Sequence, residues 1–160
     1  PAQLNVPLLL SGPHCANAEQ LLRAVGFSNI RIAGEDVGRA STIKMVRSVF
    51  IKGVEALSSE CILAASAAGV TEDILASLGE DWSDRVNYNL ERMLVHGHRR
   101  AAEMEQVAIT LRDLGIEPLM TAGTVVRQRD LGDMGLSPAP DALSDKLTAI
   151  QNKNGSGTRK

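Results

Sequence analysis

The sequence predicts a mainly α-helical protein, a bundle of about five helices preceded by a single β-α-β unit. Three observations predict it. Apolar residues recur at three- and four-residue steps over two long stretches, 41–69 and 83–115. Residues 6–34 show instead two short apolar runs with a helical pattern between them. Aromatics are 2% of the 160 residues although hydrophobic residues reach 44%, so the core draws on Leu, Ile, Val, Met and Ala. Side chains that small let helix axes approach closely.

Val6-Pro-Leu-Leu-Leu reads as a strand closed by Ser11-Gly12-Pro13, with proline well placed to open a helix. Ala18, Leu21, Leu22 and Val25 follow at helical spacing, and Gly26 stops the helix. Asn29-Ile-Arg-Ile alternates as a strand and ends at Gly34. A β-α-β unit of this length implies parallel strands. Two strands do not make a stable sheet alone, so residues 1–38 are expected to be the tail of a larger α/β domain. Pro1 is an unusual first residue, as expected either of a removed initiator or of a chain cut from something longer.

Ser41 is the expected cap of a long helix whose apolar face runs Ile43, Val46, Phe50, Val54, Leu57, Cys61, Ala64 and Ala68, with Gly69 as its stop. About 27 residues span roughly 40 Å, a length typical of a central strut or a dimer interface. Thr71 is read as capping a short helix through Leu78. Val86, Leu90, Met93, Leu94, Gly97, Ala101, Met104, Ala108 and Leu111 define a second long helix that ends at Gly115. Further helices are expected over Pro118–Leu131 and, more weakly, Asp141–Gln151. Residues 153–160 have the composition of a disordered tail.

The formal charge is −2 with both signs mixed along the chain. That leaves no basic footprint for nucleic acid and no polybasic patch for a membrane. No apolar run approaches the ~18 residues needed to span a bilayer. Cys15 and Cys61 lack metal-ligand spacing and read as reduced bystanders in a cytoplasmic protein. His96 and His98, at i and i+2, point to different helix faces, which argues against a shared metal.

The chemistry concentrates at Asp36–Phe50. A strand has ended, Gly38 turns the chain, and a helix begins with Lys44 about one turn in. This Gly-x(5)-Lys stretch resembles the β-hydroxyacid dehydrogenases, the group of 3-hydroxyisobutyrate and 6-phosphogluconate dehydrogenases. In that group such a stretch opens the long helix between the cofactor and helical domains. The resemblance covers roughly residues 4–135 and is strongest to a branch named only by its similarity to phosphogluconate dehydrogenases. It implies a helical bundle of the 6-phosphogluconate dehydrogenase C-terminal type over residues 39–152, and a Rossmann-domain remnant over 1–38. It also implies a homodimer, NAD or NADP as cofactor, and a small anionic hydroxy acid (or its carbonyl form) as substrate.

By that resemblance Lys44 is the catalytic acid/base. Oxidation of an alcohol removes the hydroxyl proton as hydride leaves for the nicotinamide. A lysine serves near neutral pH only when burial or a nearby cation lowers its pKa from about 10.4 toward 7–8. Arg47, three residues on, is placed to supply part of that push and to hold substrate. Ser48 stands where the group usually carries a substrate-binding asparagine; serine still donates and accepts, but is shorter. The group's Lys-Asp-Leu motif near the nicotinamide aligns with about Ala102-Glu103-Met104, so the lysine is missing and Glu103 is the residue expected beside the cofactor. Arg99 or Arg100 is expected to replace the lysine with a bidentate grip on an anion.

Ser11-Gly12-Pro13 lies too close to Lys44 to be the group's Ser-Gly-Gly substrate loop. The Asp-Leu-Gly at 130–132 lies downstream of the motif position and reads as a helix C-terminus. No Gly-x-Gly-x-x-Gly follows a strand, so these residues are not expected to bind a dinucleotide in the usual way by themselves. That absence supports a rival from another class, a non-catalytic helical dimerisation or interaction module. A helix-turn-helix DNA binder over Lys44–Lys52 is disfavoured by the overall acidity and by Glu55 and Glu60.

Overall fold

The computed structural model describes residues 3–157. It divides between Arg47 and Ser48 into two compact units. The first holds β1 (Leu8–Ser11), α1 (Cys15–Ala24) and β2 (Ile30–Gly34), and the start of α2 (Arg39–Ala68). The second holds the rest of α2, then α3 (Thr71–Leu78), α4 (Trp82–Asp113), α5 (Leu119–Asp133) and α6 (Leu143–Gly157). No helix among the described residues is long and apolar enough to cross a membrane.

In the first unit β1 and β2 pair in parallel, with Leu8 opposite Ile30 and Leu10 opposite Ile32. The crossover through α1 is what the alternating runs predict, and Gly26 ends it at φ +99°. The cap of α2 corrects the sequence reading. Ser41 lies inside the helix, whose first turn is held from β1: the Ala40 N–H donates to Ser11 Oγ at 3.0 Å. A side-chain oxygen on an orphan N–H is the usual device of an N-terminus, here supplied from 29 residues upstream. Thr71 likewise opens α3 as its first helical residue, with Val70 at the cap position.

The second unit is organised by α4. Every position of its expected apolar stripe is buried, from Val86 and Leu90 through Met104 to Leu111. Ala56, Ile62, Ala65, Leu131, Leu147 and Ile150 pack into the same core. Helices α4 and α5 meet backbone to backbone at two glycines. A Cβ on Gly97 would lie 2.2 Å from the Gln128 carbonyl oxygen and 2.7 Å from Gly132 Cα. Gly132 lies in the last turn of α5, as the reading of Asp-Leu-Gly as a helix C-terminus expects, and is also where α5 crosses α4.

The face of α2 is the main difference from the sequence reading. Its buried residues are Lys52, Glu55, Ala56, Ser58, Ser59, Ile62 and Ala65. The expected core face is instead exposed, with Phe50 72% and Leu57 64% accessible and Cys61 also open. Periodicity identifies the apolar face of a helix but not what covers it. Within this chain α4 presents charged partners, and α2 turns its polar face toward them.

Helix α6 extends past Gln151 to Gly157, so residues 153–157 of the expected tail are helical, and 158–160 lie outside the described residues. Ile150 and Lys146 anchor it at no measurable exposure, and a nucleated helix propagates at low cost. The buried Lys146 ammonium donates to Asn87 Oδ1 at 2.6 Å and to the Asp141 carbonyl at 3.1 Å. Such partners are what make a buried cation tolerable.

Candidate functional site

In the first unit Gly38 turns the chain at φ +86°, a conformation a glycine adopts without the Cβ penalty. Lys44 follows in the second turn of α2. It is exposed and lines an open groove of about 780 Å³ over β1 and β2, together with Arg31, Asn29, Ser41 and Arg47. No carboxylate lines this groove. Lys44, Arg47 and Arg31 make no ion pair among the described residues. Three unneutralised cations around one groove attract anions. Sequence reasoning brought Lys44 and Arg47 together correctly and missed Arg31, which read only as a polar position of a strand.

The other candidates lie in the second unit and form two linked clusters. In the first, Lys52 Nζ donates to Ser48 Oγ at 3.3 Å and sits 3.1 Å from Glu103 Oε2, while Arg99 holds Glu103 Oε1. Ser48, Glu103 and Arg99 are thus connected through Lys52, which the sequence reading did not single out. In the second, Arg100 is buried with its guanidinium on Glu55, and Gln128 Nε2 donates to the same Glu55 oxygen at 3.1 Å. Arg100 Nε and Gln128 Oε1 have no partner among the described residues. The expected bidentate grip of Arg100 on a substrate meets a competitor here: one arm of its buried guanidinium is held by Glu55, tying α4 to α2. Breaking such a pair costs far more than the pair itself contributes, because it strands a buried charge.

A signal for the missed residues exists in the sequence. Ser48, Lys52, Glu55 and Ser59 recur at steps of four, three and four, a polar stripe on one face of α2. Arg100 and Glu103, three apart on α4, are its complement in charge.

Burial pushes the Glu103 carboxyl up, against the Lys52 hydrogen bond and charge. With the charges of Arg99 and Arg100, they hold it below its ordinary value of 4.5. A carboxylate held low contributes stability above its unfolded pKa and loses it as pH falls through the folded one. The stability difference between the protein and its Glu103→Gln variant is therefore expected to be constant near neutrality. It should shrink as pH falls below about 4.5. Denaturant midpoints across that range check it; a difference independent of pH would remove Glu103 from the ion network.

The turn after β1 shows what these residues do not hold. Ser11 Oγ is taken by the Ala40 N–H, and Pro13 has no N–H to offer. A pyrophosphate needs a glycine-rich turn presenting several free N–H groups at a helix start. The residues present do not fit that part of a dinucleotide.

Comparison with known proteins bears on the whole arrangement. Residues 65–131 match the family model described as a domain of unknown function, DUF1932. The crystal structure of a conserved hypothetical protein from Sinorhizobium meliloti 1021 is 33% identical, with a TM-score of 0.73 over 91% of this chain and 51% of its own. MTH1747, a conserved protein of unknown function described as structurally similar to 3-hydroxyacid dehydrogenases, is also 33% identical. Its TM-score is 0.68 over 82% of this chain and 52% of its own. A protein of Methanothermus fervidus, described as an uncharacterized 28.5 kDa protein in the 7S RNA 5' region, is 27% identical over 117 residues, 71% of this chain and 46% of its own length. The chain spans about half the length of these relatives.

These likenesses give the chain a fold of the hydroxyacid dehydrogenase-like kind. More narrowly, residues 65–131 match DUF1932, which is the C-terminal helical domain of 3-hydroxyisobutyrate dehydrogenase-like proteins. The resemblance stated from the Gly38–Lys44 stretch is borne out.

Proposed function

We propose that this chain is the helical, substrate-side part of an oxidoreductase that moves a hydride between NAD or NADP and a small hydroxy acid or its carbonyl form. The observation that carries the reading is the placement of Lys44, just inside α2 after Gly38, in a groove with Arg31 and Arg47 and no carboxylate. In this reading the nicotinamide accepts or returns the hydride, and its main binding site lies outside residues 3–157. The residues of this chain handle the proton and the anionic group.

Lys44 takes the hydroxyl proton in oxidation and returns it in reduction. Arg47 binds the substrate's negative charge, and Ser48 hydrogen-bonds a substrate oxygen. Arg99 adds positive potential beside Glu103, whereas Arg100 acts only through Glu55. Glu103 stands toward the cofactor, its carboxylate fixed by Lys52 and Arg99. The exposed apolar stripe of Phe50, Leu57 and Cys61 on α2 supports pairing of two copies across the long helices. The mixed surface charge and the two free cysteines fit a cytoplasmic enzyme with no nucleic-acid or membrane partner.

The test is turnover by the full natural polypeptide, supplied with NAD or NADP and a panel of 2- and 3-hydroxy acids. Reduction of either nicotinamide supports the reading. A protein that pairs through α2 and reduces neither would be the dimerisation module instead.

A further inference from the structure

Helix serines ordinarily return their hydroxyl proton to a carbonyl of their own helix. Ser58, Ser59 and Ser77 do so, donating to the carbonyls of Glu55, Ala56 and Ile74 at 3.0, 2.7 and 2.7 Å. Ser48 does not. Its one hydrogen bond among the described residues is accepted, from Lys52 Nζ at 3.3 Å. The hydroxyl is half-buried on α2, with its proton uncommitted.

We infer that Lys52 is a positioning residue of the substrate site: it occupies a lone pair of Ser48 Oγ and so leaves the Ser48 proton for an oxygen of the bound hydroxy acid. The inference rests on the dehydrogenase reading above. An ammonium has three N–H donors and no acceptor, so Lys52 in its ion pair gives Ser48 a hydrogen bond and takes none from it. Lys52 is itself fixed. It is 8% exposed, and Glu103, anchored in turn by Arg99, holds it at 3.1 Å. A lone serine hydroxyl rotates between donating and accepting orientations. With Lys52 in place the donating one is favoured, which selects substrates presenting an acceptor oxygen, a carboxylate or a carbonyl, at that point.

The experiment is a double-mutant cycle in the full natural polypeptide, using the hydroxy acid it oxidises fastest. Lys52→Met keeps the stem and removes the ammonium. It should raise the KM for the hydroxy acid about tenfold, the order expected for one misoriented hydrogen bond. Lys52→Arg should restore most of the loss. In an S48A background, K52M should have no further effect on the hydroxy-acid KM. A purely structural role for Lys52 would lower the thermal midpoint and kcat alike in both backgrounds. If K52M does not fold, K52Q is measured in both backgrounds by the same criterion. Effects that simply add, or a K52M protein with an unchanged KM, overturn the inference while the dehydrogenase reading stands. A wild type that oxidises no hydroxy acid with either nicotinamide overturns both.

Discussion

Lys44→Ala is expected to lower kcat/KM for the hydroxy acid by about 10²–10⁴-fold, the range that general acid–base groups contribute. The loss follows from the reaction, since the hydroxyl proton must leave as hydride departs and no carboxylate or histidine lines the groove beside Arg31 and Arg47 to take it. Folding should be untouched, because Lys44 is exposed and makes no ion pair among the described residues. Lys44→Arg separates proton transfer from charge. A guanidinium keeps the positive potential but does not give up its proton, so turnover should stay as low as in the alanine variant while substrate binding survives. Partial recovery of the alanine variant by added small amines would complete the case. An alanine variant within about threefold of wild type would show that Lys44 is only part of the anion field.

Gly97→Ala is expected to destabilise the helical unit by about 3 kcal/mol or more. Helix propensity alone predicts the opposite sign, a gain of about 1 kcal/mol from replacing glycine in a helix interior. Packing decides. The added Cβ would sit 2.2 Å from the Gln128 carbonyl oxygen, and 2.7 Å from both the nitrogen and Cα of Gly132. These are backbone atoms, which cannot step aside as a side-chain tip can. The two helices must separate, disturbing the Gln128–Glu55–Arg100 cluster at the same crossing. Gly123, on α5, is the control, because a Cβ added there would meet nothing within 4 Å. Gly123→Ala should be neutral or stabilising by up to about 1 kcal/mol. Chemical denaturation of both variants tests the pair; a G97A protein as stable as G123A would refute the glycine crossing.

Much of this architecture was legible in the residues. The stripe from Val86 to Leu111 is buried along its whole length because the core it faces belongs to the same chain. The β-α-β unit was equally plain, since strand, turn and helix signals there are local. What was not legible depends on partners distant in sequence. The cap of α2 comes from Ser11 on another element, and no pattern around Ser41 reports it. The stripe of Phe50 and Leu57 looked like core because it is apolar, yet the other helices of this chain cover the polar face of α2. The candidate site divides in the same way. Lys44 was singled out through a motif of fixed spacing, and Arg47 by lying three residues on along the same helix face. Lys52 was missed because its importance lies in contacts to Ser48 and Glu103, and only the second is remote. Ser48 and Lys52, four apart on one helix, were there to be read. Arg100 was read as a free cation, although a buried glutamate 45 residues earlier claims it.

The most direct test of the central claim follows one atom. A hydroxy acid carrying deuterium on its hydroxyl-bearing carbon is incubated with the full natural polypeptide and NAD or NADP, and the nicotinamide is recovered for mass spectrometry and proton spectra. The account predicts deuterium at C4 of the reduced nicotinamide ring in wild type, with transfer lost in Lys44→Ala. Reduced nicotinamide without the label, or no reduction with either cofactor, would contradict it.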